Sequence, residues 1–346
     1  MEADYDPRDG NITLLPSLQQ PRKVTIVGSD GKRYIFLCKH KDGLRRDSRV
    51  MEFTSLINKL LIKDPASRRR QFKIRTYAAM PINEECGLIE WVPNTVGFRN
   101  IVYDVYKSRN KLTRSSEIKA IMRRSGDTKD WTQQQLFERK LLPRVPPAGE
   151  WFMSNCPDPT AWYNCRLAYA RTAAVIPIVS FVIGRGDRRG KNIVFDSVTG
   201  DTVYVDVNCL FDKGEYFQTP ERVPFRLTQN MVHAMGVTGV EGTYRKTCEA
   251  TMRVMKNERG ALTSVLHTFV YDPLIEWSNN RGKKPKTGEV KNDEGIRVMT
   301  AIEGRLKGKS GRGLPLQVEG QVASLIQEAT SNVNLCQMYI GWAPYL

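Results

Sequence analysis

The sequence predicts an α+β protein of two lobes, and three observations predict it. Up to Pro93 the pattern reads strand, turn, strand, helix, strand, strand, and it breaks at Pro93-Asn94. From Gly97 onward it is mostly helical, with one strand pair near residues 193–205. The chain has 346 residues, 40% of them hydrophobic, enough for a large core divided between two lobes.

The elements follow in order. Residues 1–20 are a polar lead-in. Residues 24–27 and 34–37 are β-rich runs separated by Gly28-Ser29-Asp30-Gly31, which is turn chemistry. Lys39 leaves the second run, where a lysine can enter a cleft or sit on an exposed edge. Val50, Phe53, Ile57, Leu60 and Leu61 recur at three and four residues and predict a helix over 47–62, with Asp47 in its first turn and Asp64-Pro65 ending it. Phe72, Ile74 and Thr76 alternate with polar neighbours and predict a strand over 72–80; residues 86–92 read as a buried strand. Helical stripes follow at 102–106 and 131–142. Residues 143–147 form a linker, and 162–183 a buried core helix containing Pro177. Further helices are expected near 242–256, 262–269, 295–306 and 318–329. The aromatic tail 336–346 must dock on the body of the protein.

Composition narrows the class. No apolar run is expected to span a membrane, and the acidic N-terminus does not read as a secretory signal, so a soluble intracellular protein is expected. Seven scattered cysteines and three dispersed histidines lack metal-site or redox spacing. The formal charge of +16 concentrates at 68–70, 281–286 and 305–312. A nucleic-acid binder would need aromatic interleaving there, which is sparse; a solvated face is the default reading.

The chain is organised around residues 184–208. Asp187 and Asn192 lie five apart on a Gly-rich loop. Residues 193–195 and 203–205 form a hairpin around a Ser-Val-Thr-Gly-Asp turn, and Asp206 closes it. A carboxylate, an amide and a second carboxylate so placed suit phosphoryl transfer: one carboxylate orients a hydroxyl, and the other two groups hold a cation on nucleotide phosphates. Spacing alone leaves an ordinary surface loop equally open.

Longer motifs add a family. The run Lys39-His40-Lys41-Asp42-Gly43-Leu44-Arg45-Arg46-Asp47, the hinge-like Gly87-Leu88-Ile89-Glu90-Trp91-Val92, Asp206-Val207-Asn208-Cys209-Leu210-Phe211, Val223-Pro224-Phe225-Arg226-Leu227-Thr228 and the tail after Gly313 are all present. With them the chain resembles the kinase domain of the phosphatidylinositol 3-kinase-related protein kinases, and within that family its ATR branch, over nearly its whole length. The resemblance implies an α+β, bilobal protein-kinase-like fold of the PI3/PI4-kinase type with a C-terminal helical FATC segment. It implies an N-terminal lobe over 1–92, a C-terminal lobe over 93–278, a regulatory insert over 279–313 and the FATC segment over 314–346. It implies ATP with Mg²⁺ or Mn²⁺, and phosphoryl transfer to Ser or Thr followed by Gln in DNA-damage and replication-stress signalling in the nucleus. An ATRIP-like regulatory subunit, indirect association with DNA and no membrane partner go with it.

Residue by residue, the resemblance gives Asp187 the substrate hydroxyl, and Lys39 the ATP phosphates with Asp47 as its acidic partner. Ser17, Leu18 and Gln19 form the phosphate-side loop, Glu90, Trp91 and Val92 the adenine hinge, and Asn192 and Asp206 the metal ligands. Four positions depart from the pattern. Arg189 stands where the family has a catalytic-loop His, Val207 replaces a Phe, Arg185 replaces an apolar residue, and Pro177 interrupts the preceding helix. Arginine cannot act as a base but neutralises phosphate charge. These departures make a catalytically impaired pseudokinase or scaffold the alternative to an active kinase. A lipid kinase is a further alternative, opposed by the FATC-like tail.

Overall fold

In the computed structural model the described residues are 12–15, 20–40, 44–83, 85–111, 114–123, 128–156, 158–272, 293–309 and 314–346. Residues 17–19, 41–43 and the insert segments 279–292 and 310–313 lie outside them, so the expectations placed there have no structural counterpart.

The expected first strand pair is β2 (Arg22–Val27) and β3 (Arg33–His40), antiparallel with Val24 opposite Phe36. Their turn closes where Gly31 adopts φ 74° and Asp30 Oδ1 accepts the Lys32 N–H at 3.1 Å. A short strand the sequence did not signal, β1 (Ile12–Leu14), adds to β2. With β4 (Ala79–Pro81) and β5 (Cys86–Glu90) they form an antiparallel sheet ordered β1-β2-β3-β5-β4. Against β4 and β5 packs α1 (Leu44–Lys63), which buries Leu44, Val50, Phe53, Ile57 and Leu61. Each such side chain contributes roughly 1.5–3 kcal/mol of burial. Asp64 ends α1 as expected but also caps a short helix, α2 (Pro65–Arg69), by accepting from the Ser67 N–H at 2.8 Å.

The strand expected over 72–80 is corrected: only residues 79–81 pair. Asn58 of α1 takes both backbone groups of Ile74, each at 2.8 Å, so a side chain replaces the neighbouring strand. The alternation also slips, since Phe72, Ile74 and Tyr77 are buried while Thr76 is exposed.

After the break, where Asn94 adopts φ 59°, β6 (Thr95–Gly97) pairs with β7 (Ile193–Asp196), and β7 with β8 (Thr202–Tyr204). Then come α3 (Phe98–Ser108), α4 (Ser115–Ile121) and α5 (Gln133–Leu136). The stripe at 131–142 is only partly α-helical: α5 runs into a π-helical turn over 137–141. After α6 (Trp151–Asn155), Asp158 caps α7 (Pro159–Val182), which continues through Pro177. Contrary to expectation, α7 is long and apolar enough to cross a membrane; 72% of its apolar window is buried inside the protein, as a core helix requires. It packs on α9 (Thr243–Asn257) and β8, after an unforeseen α8 (Gln229–Ala234). Phe98, Phe152, Tyr169 and Phe195 interlock beneath β7, with Tyr169 and Phe195 centroids 5.3 Å apart.

α10 (Arg259–Val270) and α11 (Asp293–Leu306) pack together, and α12 (Val318–Thr330) lies against α9. After α13 (Asn332–Leu335) the aromatic tail docks as expected: Trp342, Tyr345 and Leu346 are all buried. The seven cysteines are free thiols.

Candidate active site

The loop after α7 is shaped by its backbone. Gly184 has φ 61°, and a Cβ there would strike the Asp212 backbone N at 2.7 Å. A Cβ on Gly186 would collide with Glu221 and Cys209. Asp187 and Asp206 are both left-handed, at φ 55° and 64°, a conformation tolerated by aspartate and common where function fixes the chain.

Three arginines hold this backbone from below. Arg188 is buried and donates from Nε to Gly186 O at 2.7 Å, and from its two NH groups to Val205 O at 3.1 Å and Asp206 O at 2.9 Å. Arg185 also donates to Asp206 O at 2.9 Å and lies over the Tyr204 ring. Arg226 donates to Arg188 O at 3.4 Å. Burial pushes the Arg185 guanidinium down to about 10 and that of Arg226 down to about 9. Backbone carbonyls solvate these charges, a use to which arginine's planar fork is suited.

Above the loop lies a cleft of about 700 Å³ between the two sheets. Leu37, Ile89, Val92, Val194 and Val205 form apolar walls, and Lys39, Glu90, Trp91, Arg189, Lys191, Asn192 and Asp206 also line it. The structure thus brings Lys39, Glu90, Trp91, Val92, Arg189, Asn192 and Asp206 to one cavity. Asp47 is buried on α1 and does not line it; Tyr77 experiences the charges of both Asp47 and Lys39, and burial pushes its hydroxyl up to about 12. Ser17, Leu18 and Gln19 lie outside the described residues.

Asp187 lines an adjoining groove of about 450 Å³ with Phe217, Gln218, Met338, Tyr339 and Trp342. Its two carboxylate oxygens are held by Arg189, Nε to Oδ1 at 2.7 Å and NH2 to Oδ2 at 2.8 Å. That hydrogen bonding raises the Arg189 pKa further. Asn192 Nδ2 donates to Asp187 O at 2.9 Å, which leaves its Oδ1 as the amide atom with lone pairs to offer. Asp206 Oδ1 accepts from Asn208 N at 3.3 Å.

The donor set fits a nucleotide and a hard cation. Among the described residues no three His, Cys, Asp or Glu side chains form a complete metal cage. Asn192 and Asp206 supply two oxygen donors, the modest protein share typical of a cation also bound by phosphates. Lys39 and Lys191 add positive charge beside them, and the apolar walls suit a flat base.

Sequence reasoning missed Glu221. It is pushed above its ordinary range chiefly by burial, and its Oε1 accepts the Asp187 N–H at 2.9 Å. Its one signal was proximity to the 223–228 motif. Arg188 adjoins Asp187 and could have been noticed as a third basic group in the loop.

Two lobes around such a cleft, with a lysine on one sheet and a carboxylate–amide pair flanking the strands of the other, define a fold of the kinase class. Residues 33–279 match the family phosphatidylinositol 3- and 4-kinase, and residues 315–346 match the FATC domain. The chain belongs to the phosphatidylinositol 3- and 4-kinase family and ends in a FATC domain. It is 47% identical over 336 residues to the serine/threonine-protein kinase ATR of Arabidopsis thaliana, covering 96% of this chain and 12% of that protein. It is 46% identical over 342 residues to the protein kinase rad3 of Schizosaccharomyces pombe, covering 97% and 14%. The chain therefore spans only a small part of these relatives. The FAT and kinase domain of CtTel1 superposes with a TM-score of 0.83 at 31% identity, over 97% of this chain and 23% of that one.

Proposed function

We propose that this chain is the catalytic region of an ATR-like protein serine/threonine kinase. It transfers the γ-phosphoryl group of ATP to Ser or Thr followed by Gln, in nuclear checkpoint signalling. The observation that carries this reading is the convergence of Lys39, Asn192 and Asp206 on one cleft, with Asp187 in the adjoining groove.

ATP supplies the transferred group, and Mg²⁺ or Mn²⁺ supplies charge neutralisation on its phosphates. The chain's own residues do the rest. Leu37, Ile89 and Val92 from the five-stranded side, with Val194 and Val205 from the hairpin opposite, enclose the base beside Glu90 and Trp91. Lys39 binds phosphate, supported by Asp47 from α1. Asn192 and Asp206 hold the cation, and the phosphate-side role of Ser17, Leu18 and Gln19 rests on the resemblance alone, since they lie outside the described residues. Asp187 orients the substrate hydroxyl and takes its proton. This division of labour is positioning and electrostatics, which suffices for phosphoryl transfer. Residues 1–92 and 93–278 act as the two lobes, 279–313 as an insert and 314–346 as the FATC segment. An ATRIP-like subunit and DNA recruitment engage regions outside this chain.

The test is transfer of labelled phosphate to a Ser-Gln peptide by the purified chain, by Asp206→Ala and by Arg189→His, in Mg²⁺ and in Mn²⁺. Wild-type transfer abolished by Asp206→Ala supports the kinase. Transfer only after Arg189→His makes the natural chain a disabled kinase. Silence of both folded proteins counts against the reading.

A further inference from the structure

The nucleotide-side cleft and the Asp187 groove share one lining residue, Arg189. Its side chain therefore borders both cavities, and under the kinase reading the phosphoryl group moves from the one to the other. Its fork is engaged by both oxygens of Asp187, at 2.7 and 2.8 Å. The Arg189 side chain is nevertheless 47% exposed, so packing does not lock it there. Its charge also feels Asp206, on the cation-holding side of the cleft.

We propose that Arg189 is a shared cation, for which the Asp187 carboxylate and the phosphates of a nucleoside triphosphate compete. In this arrangement nucleotide binding draws the guanidinium toward phosphate and frees oxygens of Asp187 for a substrate hydroxyl. The inference rests on the kinase reading above and goes beyond it, because it couples nucleotide occupancy to the availability of Asp187. The chemistry is an exchange of charge-assisted hydrogen bonds, with no covalent step. Arginine suits both partners, since one planar fork matches carboxylate and phosphate alike. The arginine side of the pair is 47% exposed against 19% for Asp187, so phosphate can reach the guanidinium from solvent while the carboxylate stays in place. A histidine at this position could not make the same two-pronged contact, and its charge would depend on pH.

The test is a double-mutant cycle on binding, which needs no turnover. Affinity for the non-hydrolysable ATP analogue AMP-PNP with Mg²⁺ is measured by calorimetry for the full chain, Asp187→Asn, Arg189→Gln and the double variant. Asp187→Asn should tighten binding by about three- to fivefold by releasing Arg189. Arg189→Gln should weaken it by about tenfold, the size of a lost charge-assisted contact. In the Arg189→Gln background, Asp187→Asn should have no effect. Adenosine, which has no phosphates, should show no coupling in any variant. Arg189→Lys, which keeps the charge without the fork, serves as the second variant and should show reduced coupling. Equal effects of Asp187→Asn in the wild-type chain and in the Arg189→Gln background would overturn this inference while leaving the kinase reading intact. Failure of every folded variant to bind the analogue would overturn both.

Discussion

Glu221 illustrates how one half-buried side chain can set the shape of the loop that carries Asp187. Its Oε1 receives the N–H of Asp187, a residue held at φ 55°, and its other oxygen packs where Gly186 and Gly214 have no Cβ. Replacing it with alanine leaves that N–H without its acceptor, a loss of about 1–3 kcal/mol. Glu221→Ala should therefore lower kcat at least tenfold with little change in the KM for ATP, whereas Glu221→Gln, which keeps an acceptor oxygen, should retain most activity; steady-state kinetics separates them. The same residue carries a pH signature. Its folded-state pKa lies above the ordinary 4.5, so its contribution to stability is full below that value and is lost as pH rises through the folded one. Glutamine imitates the protonated form. The Tm of Glu221→Gln relative to wild type should thus move upward between pH 4 and pH 7, and a constant difference would show that the carboxyl is not destabilised by burial.

At the scale of elements, local patterning is legible where neighbours in sequence are also neighbours in space. The β2–β3 hairpin, the apolar stripe of α1 and the Asp187–Asn192 loop beside the β7–β8 hairpin are of this kind. Residues 72–78 are not, because their backbone is satisfied by Asn58 of α1 and their Arg75 pairs with Asp196 of β7, both remote in sequence. Glu221 escaped notice for the same reason: it lies 34 positions from the N–H it holds. The strand β6 is hidden too, since three residues beside a Pro-Asn break carry almost no periodic signal. Long-range anchoring is clearest at the tail. Arg226 is fully buried, and its guanidinium reaches Trp342 O at 2.6 Å and Ala343 O at 2.9 Å while also touching Arg188 O. Gln229 Nε2 adds a bond to Tyr345 O at 2.8 Å. One arginine thus joins the FATC segment to the loop that carries Asp187. Arg226→Ala should destabilise the protein by about 3 kcal/mol or more, because several buried carbonyls lose their donor together. Urea unfolding would measure this, and a loss below about 1 kcal/mol would mean that water replaces the guanidinium.

At the scale of the whole molecule, the cleft is built from both sheets of the described residues. Leu37, Lys39, Ile89 and Val92 come from the five-stranded side, and Asn192, Val194, Val205 and Asp206 from the loop and hairpin opposite. A ligand that fills it must contact both sides at once, so its binding energy should resist separation of the lobes as well as local fraying. Binding to the native state alone stabilises it by about 2.7 kcal/mol at a ligand concentration one hundred times Kd. For a chain of this size that amounts to a rise in Tm of several degrees. AMP-PNP with Mg²⁺ should therefore raise the Tm of the wild-type chain, and each single change at either wall should reduce the rise. Lys39→Met removes the positive charge on the sheet side, and Asp206→Asn removes the carboxylate proposed to bind the cation on the hairpin side. In Asp206→Asn the remaining shift should become nearly independent of Mg²⁺, whereas in Lys39→Met it should shrink but keep its Mg²⁺ dependence. That asymmetry is what a cleft with phosphate held from one lobe and cation from the other requires. Identical losses in both variants, each without Mg²⁺ dependence, would place the nucleotide elsewhere on the protein.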